Sequence, residues 1–263
     1  MEELKNSEGI SSTDNIKLRK LLTLAVLTGG VMLKNGAETY RVEDTIKRIC
    51  KSRLGIRFAN CFVIPSAIFV SIDYEGELIS FLKRVSSNQT NLNKIHLANE
   101  FSREFVNSDM SVDEAMKRID AINKTVTFSQ GQLIGFAGIV AGTFTGMFNA
   151  NLMDIFLSVV IGMLTMKFTY YIYKFEFSSF INNYAAGFLT AFLSYIADML
   201  GLATNMDLII IGVMMPILPG YALTNSIRDA ITGENVSSLS RGLEAILCGV
   251  ALAIGVATVL KII

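Results

Sequence analysis

Between residues 18 and 33, Leu18, Leu21, Leu22, Ala25, Met32 and Leu33 recur at helical spacing around the uncharged run LLTLAVLTGGVML. A helix needs about 20 apolar residues to cross a bilayer. This 13-residue run is too short, and it predicts a buried or membrane-grazing helix. Asn35-Gly36 closes it, because glycine adopts the left-handed conformation that helix ends often need. A second helix follows, with Val42, Ile46, Ile49, Cys50 and Leu54 on one face and Arg41, Asp44, Lys47, Arg48 and Lys51 elsewhere. The period then changes. FVIPSAIFVSI, residues 62–72, is β-branched and aromatic, and LISFLKRV follows a turn at Tyr74-Glu75-Gly76, which predicts a hairpin. Pro65 has no N–H for a ladder and marks an edge or a bulge. Helices near 91–107 and 112–124 complete the half, the second opened by the capping box Ser111-Val112-Asp113-Glu114.

Beyond residue 126 the pattern changes again. Charged residues are absent from 125–153, 177–197 and 208–227, and two shorter uncharged runs precede Lys167 and Lys261. Lysines near the end of a span can reach the interface along their apolar stems. The pattern predicts five spans, near 131–150, 154–174, 178–200, 206–227 and 243–262. The expected fold is an α-helical polytopic membrane protein with five transmembrane helices, preceded by a cytoplasmic α/β domain. Its parts are a polar tail (1–17), the α/β domain (18–126) and the membrane domain (127–263).

Charge sets the expected orientation. Of the 46 charged residues, 34 precede residue 131 and 12 follow. The connections near 150–153 and 201–206 hold no Lys or Arg, whereas Lys174, Arg228 and Arg241 collect on the other side. The positive-inside rule places that side, with the N-terminal domain, in the cytoplasm and the C-terminus outside. Lys261, near the outer surface, runs against the trend. The first 17 residues lack an apolar signal core, so no cleaved leader is expected. The net charge is zero, which gives no reason to expect nucleic-acid binding.

Candidate chemistry is sparse in the first half. His96 is the single histidine and falls on a predicted surface helix. No His/Cys/Asp/Glu cluster has metal-ligand spacing and no glycine-rich phosphate loop follows a strand, so no metal or cofactor is expected. Cys50, Cys61 and Cys248 form no CxxC pair and read as reduced, structural thiols. Glu38, Tyr40, Arg41, Glu43 and Asp44 are dense enough for a polar site, or are simply a charged helix start.

The second half is richer. Gly138, Gly142 and Gly146 are four apart in GFAGIVAGTFTGMF and strip one helix face of side chains, so a neighbour can pack closely. The predicted fourth span holds Pro216, Pro219 and Gly220, followed by Thr224, Asn225, Arg228 and Asp229. Proline removes a donor and clashes with the carbonyl four residues back, which frees the carbonyls of Gly212 and Met215. Such irregular backbone is tolerated at membrane depth where it is buried in protein or lines water, and transporters place broken helices at their solute sites. The span is either such a site or a kinked helix. Arg228 and Asp229 are either part of the solute path or topogenic charges. Asp154, Asp198 and Asp207 lie at predicted outer ends. Asp198 joins the candidate path if it lies at span depth.

The segments MLKNGAETYRVEDTI (32–46), VIPSAIFVSI (63–72) and MMPILPGYALTNSIRDAITGEN (214–235) carry a resemblance to the threonine/serine exporter family, in its N-terminal-domain branch. The resemblance spans roughly residues 18–260. It implies a cytoplasmic domain before five spans in the cell (inner) membrane, and export of threonine, serine or related small polar solutes, driven by the proton gradient or membrane potential. It marks Gly36, Glu38, Tyr40, Arg41 and Pro65 as family motif positions. Some relatives work as two-protein systems with a small multi-span partner, and a dicarboxylate has been assigned to such a pair. The chain lacks the second multi-span region of fused members, so a separate partner, further copies of itself, or both are expected. Ile64-Pro65-Ser66 and ENVSSLSR after Gly233 depart from the family pattern and bear on the substrate. The rival classes are a membrane-anchored hydrolase and a non-transporting scaffold. The absence of a nucleophile paired with a base weighs against the hydrolase.

Overall fold

In the computed structural model, residues 12–53, 56, 58–74, 77–86, 90–175 and 177–262 are described. Among them ten helices and one three-stranded sheet form. The predicted turn residues Glu75 and Gly76, the tail to residue 11, and Leu54 of the second helix lie outside the described residues. The chain divides into two units. One holds the residues up to Thr127 together with Thr224–Arg241, and the other Phe128–Leu223 with the residues from Gly242.

The first unit is built around α1 (Ser12–Lys34). Its LLTLAVLTGGVML run is apolar on every side, which suits only a helix enclosed all round. Leu18, Leu21, Leu22, Leu24 and Met32 are buried accordingly. Around it stand α2 (Thr39–Lys51), α3 (Leu92–Asn107), α4 (Val112–Lys124) and the sheet. A Cβ on Gly29 would fall 2.5 Å from Ile46 Cδ1, so glycine sets how closely α2 approaches. Ser111 Oγ caps α4 by accepting from Glu114 N at 3.3 Å.

The sheet has one strand more than the sequence pattern predicts. The antiparallel order is β1 (Phe58–Ile64), β2 (Ala67–Tyr74) and β3 (Glu77–Arg84). Ile64 pairs with Ala67, so Pro65-Ser66 is the two-residue loop between β1 and β2 rather than an irregularity within one strand. The ring of Pro65 supplies the fixed φ that a tight turn uses, and its missing N–H breaks no ladder bond there. A tight turn inside an apolar run leaves period-two alternation almost intact, which is why the run reads as one strand.

The second unit contains α5 (Gln130–Met147), α6 (Leu152–Tyr173), α7 (Ser179–Met199), α8 (Met206–Met214) and most of α10 (Asn235–Ile262). Among the described residues, α6 and α10 are the two helices long and apolar enough to cross a membrane. The predicted fourth span is divided into α8 and α9 (Gly220–Ile231). Pro216 cannot donate, and the carbonyl of Gly212 instead accepts from Met215 N at 3.3 Å as the last turn tightens. Helix packing here is glycine-mediated. A Cβ on Gly138 would lie 2.8 Å from Val159 O, and one on Gly142 2.5 Å from Val159 Cγ2, so α6 packs on that face of α5. Gly187 and Gly255 bring α7 and α10 equally close, with Cβ positions 2.3 Å from Leu252 O and 2.2 Å from Tyr184 O.

Candidate functional site

Where α1 ends, Ala37 N donates to Met32 O at 3.0 Å and Gly36 N to Leu33 O at 3.1 Å, with Gly36 at φ 97°. This is a Schellman closure, in which only glycine adopts the left-handed position without strain. It turns the chain directly into α2 and leaves the carbonyls of Gly36 and Ala37 as acceptors. Side chains more than 180 residues later fill them. Asn225 Nδ2 donates to Gly36 O at 3.0 Å, and Arg241 donates through Nη2 to Ala37 O at 2.8 Å and through Nη1 to Gly36 O at 3.5 Å.

Glu38 occupies the N-cap position of α2 but does not cap it with its side chain. Its buried carboxylate instead accepts from Arg228 Nη1 and, at 3.3 Å, from Arg41 Nη1. Burial opposes the charge on Glu38. Its own backbone N–H and the two guanidinium groups outweigh burial and hold the carboxyl below its ordinary range. Both arginine side chains are about half exposed, 52% for Arg41 and 51% for Arg228. Asp229, one residue further along α9, is fully enclosed. Its Oδ1 accepts from Thr39 Oγ1 at 3.3 Å, and its Oδ2 lies 3.3 Å from Arg241 Nε. Burial pushes this carboxyl upward, against the opposing pull of Arg241 and Thr39. The cluster therefore holds two buried carboxylates and three guanidinium groups at the start of α2, where the helix dipole favours negative charge.

A family model described as "Putative threonine/serine exporter" matches residues 23–263, which include every residue of this cluster. The chain belongs to this family. It is similar to a threonine/serine exporter of Corynebacterium glutamicum, 23% identical over 272 residues that cover 96% of the chain and 54% of that relative. The chain thus spans about half of the relative's length. Family and relative are both named as exporters, not as enzymes. No solved structure matches the chain.

Within this member of the exporter family, the candidate residues divide into groups. Gly36, Glu38, Arg41, Asn225, Arg228 and Asp229 come together in the cluster. Tyr40 is exposed beside them. Glu43 leaves the patch, accepting from Val63 N at 3.0 Å and pairing with Lys47, so it ties α2 to β1. Asp44 pairs along its own helix with Arg48. Pro65 is in the β1–β2 turn. Pro216 and Pro219 are half-buried between α8 and α9, and Gly220 and Thr224 are exposed at the start of α9. Pro219 O accepts from Leu223 N at 3.1 Å, so this proline precedes α9 instead of interrupting it. Asp198 and Asp207 are exposed. Asp154 is buried instead, and its Oδ1 accepts from Thr204 N at 2.8 Å, because the loop before α8 folds over the start of α6.

Thr39 and Arg241 are cluster members that sequence reasoning does not single out as site residues. Thr39 looks like an ordinary first-turn residue, and Arg241 reads only as a topogenic charge. The one signal in the sequence is a charge in the polar stretch just ahead of the fifth apolar run, and it names no partner. The thiols fit the structural reading, since burial first of all pushes both Cys50 and Cys61 up to about 12. His96 is exposed, 3.4 Å from Glu100.

Proposed function

We propose that this chain is a membrane transporter subunit that exports small polar metabolites, threonine and serine first, at the expense of a proton gradient or membrane potential. The observation that carries the reading is the arginine–carboxylate cluster of Glu38, Arg228, Asp229 and Arg241, in a chain matched to the exporter family over nearly its whole length. A half-exposed guanidinium presents a planar fork suited to a carboxylate, and every amino acid carries one. The proposed topology is five spans in the cell membrane, with α8 and the first turns of α9 making the broken fourth, which ends before Arg228 and Asp229. The N-terminal unit is proposed to lie in the cytoplasm and the C-terminus outside. Five spans are few for a rocking transporter, since many such folds pair two related halves around a midplane site. A small multi-span partner, or further copies of the chain, is proposed to complete the path.

A dicarboxylate substrate is the second reading. Arg41 and Arg228 approach Glu38 from two elements, so two guanidinium groups are available to a solute with two carboxylates. Proteoliposomes holding the chain alone, or with a candidate small multi-span partner, test both. Counterflow of labelled threonine and serine supports the first, and counterflow of a labelled dicarboxylate the second. No flux of any of them in either preparation, with solute hydrolysis instead, overturns the transporter reading.

A further inference from the structure

The two carboxylates of the cluster are held differently. Glu38 meets two arginines that reach solvent. Asp229 is 0% exposed; its Oδ1 accepts from Thr39 Oγ1, the backbone N–H of Thr39 also favours its charge, and its Oδ2 has no hydrogen-bond partner. Asp229 Oδ2 and Arg241 Nε are 3.3 Å apart yet neither makes a hydrogen bond, because Arg241 is turned to direct Nη1 and Nη2 at the α1–α2 turn. An enclosed carboxylate with one bare oxygen keeps its charge only by attraction to its neighbours. From α10, Arg241 favours that charge; Glu38, at the start of α2, opposes it. Glu234, in the turn after α9, is a further anion close enough to be affected by Asp229, and it also faces Glu43 and Lys47 of α2. Arg228, on the same helix as Asp229, is engaged with Glu38, as is Arg41.

We propose that Asp229 Oδ2 is a proton-binding position, and that its protonation sets how firmly Arg241 holds the α1–α2 turn. With Asp229 ionised, Arg241 joins three elements: the carboxylate of α9, the backbone carbonyls of the turn, and its own helix α10. With a proton from water on Oδ2 the ion pair is lost. Arg241 then keeps its carbonyl bonds alone, while Thr39 still donates to Oδ1. This deepens the exporter reading, naming the group on which a proton gradient acts, and rests on that reading only for its consequence in transport. Burial raises the affinity of the site for a proton, in the sense the geometry requires.

Hydrogen exchange of the intact chain in nanodiscs, read as protection of amides 36–41 across the acid-to-neutral range, tests the proposal without any solute. Protection should fall through one transition as pH is lowered. Asp229→Asn, which fixes the neutral form, should show the low protection at every pH. Thr39→Val removes a donor that favours the ionised form and should move the transition to higher pH; it keeps the carboxylate, so it serves if Asp229→Asn does not fold. Glu234→Gln should retain the transition. The proposal is overturned if Asp229→Asn keeps the transition, if Thr39→Val leaves it in place, or if Glu234→Gln abolishes it. Failure of the exporter reading shows elsewhere, as no solute flux from wild-type vesicles at any pH.

Discussion

Arg241 donates through Nη2 to the carbonyl oxygen of Ala37 at 2.8 Å, joining positions 204 residues apart. The same guanidinium faces Asp229, so its loss would leave a buried carboxylate without its counter-ion and the Ala37 carbonyl without this donor. Removing one partner of a buried pair costs about 3–5 kcal/mol, because the remaining charge stays enclosed. Arg241→Ala should therefore lower the thermal unfolding temperature markedly. Pairing it with Asp229→Asn should restore part of the loss. An unchanged midpoint in the single variant would show that the contact holds nothing.

Glu38 and Asp229 should respond to pH with opposite sign. Glu38 titrates below its ordinary range when folded, so its contribution is present above the unfolded value and lost as pH falls through the folded one. Asp229 titrates above its ordinary range. Its contribution is fully present below the unfolded value and lost as pH rises through the folded one. Glu38→Gln should thus destabilise the chain at neutral pH and progressively less in acid. Asp229→Asn should flatten the decline on the neutral side. Chemical denaturation at a series of pH values separates the two curves.

Arg228 is half exposed and bonded to Glu38, so lysine in its place should keep the ion pair and most of the stability. Lysine lacks the bidentate fork. Arg228→Lys should therefore raise the apparent Km for solute in vesicles while leaving the unfolding midpoint close to wild type. An unchanged Km would assign Arg228 to topology or assembly.

Two glycines flank the break between α8 and α9, and they should behave oppositely. A Cβ on Gly212 would lie 1.9 Å from Thr145 Oγ1 and 2.8 Å from Ala141 O, with backbone on one side that cannot move away. Overpacking of this kind costs about 1–3 kcal/mol, so Gly212→Ala should lower the unfolding midpoint. Gly220 opens onto free space. Gly220→Ala should be stabilising by about 0.4–1 kcal/mol through the unfolded chain. Pro219→Ala should change stability little, because Pro219 stands before the first turn of α9 and interrupts no helix. If Pro219 shapes the solute path, its variant transports less despite normal folding.

What could be read from the sequence is what depends on neighbours within a few positions. The Gly36 closure of α1, the Ser111 cap of α4, the break of the fourth apolar run at Pro216 and the small-residue face of α5 all rest on steric rules that act within one or two turns. Pro65 escaped that reading because a two-residue turn hardly disturbs an alternating pattern. The tertiary structure decided the rest. Composition separates a charged half from an apolar one near residue 127, yet Thr224–Arg241 contributes to the first unit. Gly36, Glu38 and Thr39 acquire their partners from α9 and α10, nearly 200 residues away. Charge type announces that Arg241 and Asp229 need partners, since buried charges are tolerated only when paired. Which partners they find is set by which helix ends meet, and that is fixed by the packing of whole elements, not by any residue's own preference.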